Sequence, residues 1–267
     1  MSSQNDRAIY FRSLHHPGNP IVLSNVYDGA TASYIAGHAT TKAIATASYA
    51  VAASQGIADE SLTLPQNLAA ARTIAAVVAA TTSPQLPLTV DMQDGYEDVA
   101  QTIRDVIALG AVGCNLEDFD NAAGKLRSLP EAVNRIRTAV QAAREAGVPD
   151  FVINARTDVL GPAGTGSIED AIERGKAFLD AGACTVFVWG PGGRGVSGDE
   201  VRELAKALGG RVNVKLNLGD GYLTVSELKK IGVARISLGP ELWRAAMGAF
   251  RETADRLLAQ VSYDYNI

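Results

Sequence analysis

The chain is poor in the residues behind thiol and imidazole chemistry, with two cysteines and three histidines in 267 residues. Cys114 and Cys184 lie inside short apolar runs, which marks them as small core residues of a reducing compartment rather than members of a disulfide framework. His15, His16 and His38 sit near the chain start and at a helix-to-strand junction, so imidazole catalysis is not expected. Long apolar runs are also missing. The most apolar stretch, Ile74 to Ala80, is Ala-rich and far short of the roughly 20 residues that span a bilayer. The first residues, Met1-Ser-Ser-Gln-Asn-Asp-Arg7, lack the basic-then-apolar order of a secretion signal, which points to the cytoplasm and to no membrane partner. A net charge of -5 without a basic stripe argues against nucleic acid. The glycine-rich Gly190-Pro-Gly-Gly-Arg-Gly195 has no Walker lysine and reads as a loop rather than a phosphate cradle. No linker tract divides the chain. Residues 1–267 therefore read as a single domain, with a short arm over about 1–17 and a C-terminal helix and tail over about 240–267.

What is present is a repeated sentence. An amphipathic helical stretch ends in Gly, a short β-branched run follows, and a polar cluster closes it. Ala108-Leu-Gly-Ala-Val-Gly-Cys-Asn-Leu-Glu117, Asp180-Ala-Gly-Ala-Cys-Thr-Val-Phe-Val-Trp189 and Lys230-Ile-Gly-Val-Ala-Arg-Ile-Ser-Leu-Gly239 are the clearest copies. Strands are expected at about 20–24, 42–48, 87–91, 112–117, 150–155, 184–189, 211–216 and 233–238. Helical patterns fill the gaps, as at Leu129 to Ala146, with Pro130 just inside its start, and at Ser167 to Ala181, capped by Ser167. Eight strands alternating with helices make a parallel sheet, and eight is the number that closes a barrel. An open doubly wound sheet would carry a Gly-rich fingerprint after its first strand, where Asn25-Val-Tyr-Asp-Gly29 stands instead. The expected fold is α/β, a single (β/α)8 barrel.

In such a barrel the chemistry lies at the C-terminal strand ends. Those ends here read Thr46-Ala-Ser-Tyr-Ala50, Asp91-Met-Gln-Asp-Gly-Tyr96, Glu117-Asp118 and Asn154-Ala-Arg-Thr-Asp158, with Asp59-Glu60 following the second. Carboxylates converging on one mouth repel one another unless a cation sits among them, and oxygen-only ligands favour a hard ion such as Mg2+. An arginine beside them matches the planar carboxylate of a small acid. Arg156 is thus expected to anchor substrate, because a buried guanidinium needs an anionic partner and the acids nearby should face the metal. Asp91 and Glu117 could instead be ion-pair partners of Arg156. Asp94, before Gly95, suits a turn better than a ligand. Asp118 and Asp158 could equally orient neighbours or touch substrate.

These segments resemble the superfamily of isocitrate lyase, methylisocitrate lyase and phosphoenolpyruvate mutase. The likeness covers about residues 18–255. It is carried by Asn25-Val-Tyr-Asp28, Thr46-Ala-Ser48, Asp91-Met-Gln-Asp-Gly-Tyr96, Asn115-Leu-Glu-Asp118, Ile153-Asn-Ala-Arg-Thr-Asp158 and Arg235-Ile-Ser-Leu-Gly239. It implies a homotetramer of barrels whose last helix is swapped between subunits. It implies that Asp91 is the main Mg2+ ligand (Mn2+ a possible substitute), that Glu117 assists through water, and that Gln93, standing where many members have a second carboxylate, belongs to the metal set. The substrate would be held by Asn25, Thr46, Ala47, Ser48, Asp59 and Arg156. Arg156, Ser48 and Tyr49 would serve catalysis, with Tyr96 or a metal-bound water as other proton handlers. The carbon–carbon lyases of the group carry a cysteine loop after the fourth strand. Here Asp118-Phe-Asp-Asn-Ala-Ala-Gly-Lys-Leu-Arg127 is short, without cysteine or histidine, and Asn121 and Lys125 faintly echo the mutases' gating loop.

The leading expectation is a Mg2+-dependent lyase or decarboxylase acting on a small 2-oxo or 2-hydroxy acid through an enolate. The alternatives are a phosphonate P–C bond mutase or hydrolase, which needs a further cationic cradle, and a non-catalytic oxo-acid binder. A Schiff-base role for Lys215 would leave the carboxylate cluster without purpose.

Overall fold

The computed structural model describes residues 3–81, 85–161, 164–190 and 195–261. Pro191 to Arg194 of the glycine-rich stretch lie outside the described residues.

Eleven strands are described: β1 (Ile21–Leu23), β2 (Asn25–Val26), β3 (Ile44–Thr46), β4 (Leu88–Asp91), β5 (Gly113–Glu117), β6 (Phe119–Asp120), β7 (Lys125–Leu126), β8 (Val152–Thr157), β9 (Thr185–Val188), β10 (Val212–Lys215) and β11 (Arg235–Ser237). Nine of them form one sheet in the order β1-β11-β10-β9-β8-β5-β4-β3-β2, with every pairing parallel. The two ends of that order, β1 and β2, are neighbours in sequence, separated only by Ser24. They act as one stave that pairs with β11 through its first half and with β3 through its second. The sheet thus returns on itself with eight stave positions, and the expected barrel is what forms.

Ten α-helices are described: α1 (Gln4–Ser13), α2 (Gly29–Gly37), α3 (Ser48–Ser54), α4 (Leu64–Thr81), α5 (Val99–Ala108), α6 (Leu129–Glu145), α7 (Ile168–Asp180), α8 (Gly198–Ala207), α9 (Val225–Ile231) and α10 (Glu241–Leu258). Local chemistry sets their ends. Ser167, Ser197 and Thr224 cap α7, α8 and α9 in capping boxes with Asp170, Glu200 and Glu227. The glycines of the repeated sentence, Gly110, Gly182 and Gly232, all take positive φ where the chain turns from helix to strand. No described helix is long and apolar enough to cross a membrane.

Two segments differ from their sequence-level appearance. The arm at the start forms α1, capped by a Ser3–Asp6 box. It closes the N-terminal end of the barrel: Ala8 and Phe11 are fully buried, and Gln4 donates to the carbonyls of Ile107 and Ala111. Its hydrophobic periodicity is weak because only two positions face inward, so composition did not distinguish it from a tail. The fifth expected strand, at 150–155, is observed as β8 and begins two residues later, at Val152, which brings Arg156 inside the strand.

Phe11 should carry most of the α1 docking energy. Phe11→Ala is expected to cost about 3–5 kcal/mol, as for other buried aromatic truncations. Urea unfolding measures it, and a loss under about 1 kcal/mol would mean that α1 is not held against the barrel.

Candidate active site

Strand alternation explains which side chains meet at the mouth. Inward positions recur every second residue, so Asp91, Glu117, Arg156, Phe187, Lys215 and Ser237 are the last inward residues of β4, β5, β8, β9, β10 and β11. One cavity is lined by Ser48, Asp59, Asp91, Arg156, Trp189, Lys215 and Arg244 among others. An adjoining one of about 270 Å3 is lined by Asp59, Gln93, Glu117, Phe119, Asn121, Arg156, Asp158 and Trp189. The structure therefore brings together Ser48, Tyr49, Asp59, Asp91, Gln93, Glu117 and Arg156, all of which the sequence had singled out.

Asp91 is fixed by its surroundings. Its amide donates to Thr46 Oγ1 at 2.9 Å, Asn67 donates to its carbonyl at 2.9 Å, and the Ser48 amide donates to Oδ2 at 3.0 Å. The other carboxylate oxygen, Oδ1, is buried and accepts no hydrogen bond. An orphaned buried carboxylate oxygen is costly unless a cation completes it.

Arg156 is gripped on two sides. Nε and Nη2 donate to the two oxygens of Asp158 at 2.9 and 2.6 Å, and Nη1 donates to Glu117 at 2.7 Å. The guanidinium stacks over Trp189, 4.3 Å from the ring centroid. The expectation that a bound acid completes this arginine's charge balance needs correction, since Asp158 and Glu117 already do. Two of its five N–H donors remain for a ligand. Burial works against the arginine's charge, but Asp158 and Glu117 outweigh it and hold it protonated. Burial also pushes Glu117 well above the usual carboxylate range; Arg156 pulls it back, while Asp158, Asp91 and Asp59 add to the rise.

Asp59 stands on a single 3-10 turn, Asp59–Ser61. Gln93 donates to its carbonyl at 2.7 Å and to Oδ1 at 3.0 Å, and the Ser48 hydroxyl bonds its carboxylate. The Gln93 amide nitrogen is therefore spent as a clasp on Asp59. Gln93 holds a positive φ of 51°, unusual for a residue with a side chain. Burial, then the charge of Asp91, raises Asp59 to about 6, against the pull of Ser48, Arg156 and Gln93.

The other sequence candidates fall in varied places. Asn25 lines the same cavity as Ser48 and Asp91 and is also tied structurally: it donates to the Thr46 carbonyl at 2.6 Å and accepts from the amides of Leu238 and Gly239 at 3.0 and 2.9 Å, joining the closing staves. Ala47 precedes α3 and offers it no side-chain cap. Tyr49 lies at the rim, stacked edge-on against Trp243 with Arg244 over its face. Tyr96 accepts from Asn67 at 3.0 Å, and burial pushes its hydroxyl far above the ordinary tyrosine value. Asp94 forms its turn and pairs with Arg127 at 2.8 Å, while Asp118 pairs with Arg174 and accepts from the Asp158 amide. Cys114 is fully buried, its thiol pushed up to about 12 by burial.

Sequence reasoning missed two features. The segment after β5 is not a bare loop: β6 and β7 pair as an antiparallel hairpin that brings Phe119 and Asn121 to the cavity. Lys215 and Arg244 line the cavity from β10 and α10, joined through Glu241 at 2.8 and 2.9 Å. Glu241 and Arg244 are an i,i+3 pair on α10, but nothing local in sequence links them to Lys215, which the sequence raised only as a Schiff-base candidate.

A closed parallel barrel with a buried acidic cluster and one captive arginine at its strand ends places this chain among barrels that handle small anions. It belongs to the phosphoenolpyruvate phosphomutase family, whose sequence profile matches residues 11–258, within the isocitrate lyase/phosphoenolpyruvate mutase superfamily of lyases, mutases and hydrolases of small carboxylates. The chain is 33% identical over 251 residues to the uncharacterized protein Rv1998c of Mycobacterium tuberculosis, covering 91% of this chain and 87% of that one. The structure of 2,3-dimethylmalate lyase matches with a TM-score of 0.80 at 28% identity, over 97% of this chain and 91% of that one. That of oxaloacetate acetylhydrolase with its product oxalate gives 0.81 at 29%, over 98% and 91%.

The Asp59 shift carries a pH signature for stability in the metal-free protein. Its folded value, about 6, exceeds the ordinary 3.8, so folding favours the protonated form. That contribution is complete below about pH 3.8 and is lost as pH rises through about 6. Asp59→Asn should therefore raise the melting temperature more at pH 8 than at pH 4. Equal shifts at both pH values would show that Asp59 does not titrate in this range.

Proposed function

We propose that this protein is a Mg2+-dependent enzyme of lyase or decarboxylase type that breaks a carbon–carbon bond in a small 2-oxo or 2-hydroxy acid. The observation that carries the reading is Asp91 Oδ1, buried and without a partner beside Glu117 and Asp59, whose carboxyls are raised by burial first and by neighbouring negative charge second. The donor set fits the ion. Among the described residues no three acidic, histidine or cysteine side chains form a ready-made cage. Mg2+ needs none, since it keeps several waters and takes only one or two carboxylates. Asp91 and Glu117 would hold it, with Mn2+ a workable replacement. When bound, the ion supplies Lewis-acid compensation for the negative charge that develops on the acid.

The chain's own residues supply the rest. Arg156 orients the acid through its two remaining donors, and Trp189 covers the guanidinium's face. Asp59 is the group placed to exchange the proton: it lines the cavity, Ser48 and Gln93 hold it in place, and in the metal-free protein burial raises its carboxyl to about 6. Tyr96 is a poor substitute, because its proton is too tightly held. Neither cysteine suits the acid role of a thiol-dependent lyase, since both are buried in the core.

One observation favours the second reading, chemistry on a phosphonate P–C bond. Lys215 and Arg244 line the same cavity as Asp91 and offer the cationic cradle such a substrate requires. Turnover assays on 2-oxo acids, branched malates and phosphonopyruvate, each with and without Mg2+, separate the two. Asp91→Ala is expected to abolish Mg2+ binding in calorimetry while circular dichroism stays unchanged. An unaltered Mg2+ titration in that variant would remove the basis of the whole assignment.

We also propose self-assembly into a tetramer through α10. No residue of this 18-residue helix is buried, and Phe250, Leu257 and Leu258 are more than 60% exposed. Such an apolar face is seldom left to water in a stable monomer. Light scattering at micromolar concentration should give a mass near four chains, and Phe250→Glu should lower it. A monomeric native protein would overturn this assignment.

A further inference from the structure

Beneath the carboxylates lies a second inward ring, two residues earlier in each strand: Thr89, Asn115, Asn154, Thr185, Asn213 and Arg235. Barrel interiors are usually filled with branched apolar side chains. Here five neutral polar residues and one cation occupy them. Four of them are chained together. Thr185 donates to Asn154 at 2.7 Å, Asn154 donates to Asn115 at 2.9 Å, and Arg235 Nη2 donates to the same Asn115 oxygen at 3.2 Å. Asn115 stands beside Asp91 in register and lines the cavity above.

Arg235 is only 1% exposed, and among the described residues no carboxylate forms an ion pair with it. Its Nε and Nη1 have no hydrogen-bond partner. Phe11 of α1 lies against it, 6.0 Å from ring centroid to guanidinium carbon, and closes the barrel on the side away from the mouth. Burial lowers its pKa to about 10, so it remains charged at neutral pH, and Asp91 is the one carboxylate among the groups acting on it. The same charge helps to depress His15 to about 3, after burial. An uncompensated cation is expensive to bury, and a fold that needed only packing here could use an apolar side chain. The site above gains from it, since a fixed charge in a dry interior is weakly screened and is felt through the cavity floor.

We propose that Arg235 is a positioning residue for the site: an unpaired guanidinium under the cavity floor that holds Asn115 in place and biases the pocket toward an anionic occupant. This rests on the reading of the mouth as a site for a small acid with Mg2+. A cation below the floor opposes Mg2+ and favours the acid, so its removal must move the two affinities in opposite directions. A merely structural role would not.

The test uses Arg235→Met, Arg235→Gln and Arg235→Lys in the full chain, with calorimetric titration of Mg2+ alone and of oxalate with and without Mg2+. The neutral variants should bind Mg2+ roughly threefold tighter and oxalate at least about fivefold weaker, while the lysine variant stays within about twofold of the native protein in both. Melting temperatures of the neutral variants should equal or exceed the native value, because a buried unpaired charge has been removed. Affinities that are unchanged, or that weaken together, overturn the proposal, as does failure of both neutral variants to fold. A native protein that binds oxalate but no Mg2+ would defeat the functional reading instead, and the metal-free oxalate titration would still decide the role of Arg235.

Discussion

Mutual repulsion among carboxylates is the constraint around which the mouth of this barrel is arranged. Parallel strands deliver Asp91 and Glu117 to one place, and with Asp59 and Glu60 from the 3-10 turn and Asp158 just after β8, five acids line the resulting cavities. Left alone they would expel one another or hold protons. The protein answers in three ways. Arg156 is wedged between two of them, Asp59 is allowed to titrate near 6, and Asp91 is presented with one oxygen uncommitted. The first two remove charge; the third leaves the oxygen that the proposed cation would complete.

The supporting shell follows from the same need. A carboxylate meant to hold a cation must not swing toward the nearest arginine, and Asp91 is kept from doing so by Ser48, Thr46 and Asn67, which fix its backbone and one oxygen. Asp94 and Asp118, equally close in sequence to the strand ends, are drawn away by Arg127 and Arg174 into ion pairs between loops and helices. Arg127 reaches further, to Asp120 at 2.8 Å, and so fastens the β6–β7 hairpin to the turn that follows Asp91. Sorting acids into those that face the cavity and those that brace it is work done by arginines outside the cavity.

Much of this was legible before any coordinates. Stave positions emerge from the Gly-then-β-branched sentence because a helix end and a buried parallel strand have strong local signatures. Asp91, Glu117 and Arg156 emerge because the barrel exposes strand C-termini. What sequence could not supply was partnership. Asn25 looks like a ligand-binding residue, and besides lining the cavity it stitches β2, β3 and the segment after β11 together, a use visible only when the barrel closes. Arg156 looks like a waiting anchor and is already paired through Asp158, two residues away, since Thr157 between them faces the other side. Lys215 meets the helical pair Glu241 and Arg244 across 26 to 29 positions of sequence, with no periodic pattern to join it to them. The helical start was missed because two buried residues in ten leave too faint a stripe.

The scarcity of cysteine and histidine then takes on a different meaning. A site that must exchange a proton at neutral pH ordinarily reaches for imidazole, whose unperturbed pKa is already about 6.5. This barrel has its three histidines elsewhere, with His15 held neutral at the closed end by burial and by Arg235. Asp59 reaches a similar value by another route, burial beside a like charge, with hydrogen bonds from Ser48 and Gln93 limiting the rise. The two routes respond differently to a cation. An imidazole nitrogen would compete for it as a ligand, whereas a carboxylate raised by neighbouring negative charge loses its proton when that charge is neutralised. Under the proposed reading, an ion beside Asp91 would take away the part of the Asp59 rise that Asp91 contributes, leaving the part due to burial. The acid's protonation would then depend on what occupies the cavity as well as on bulk pH.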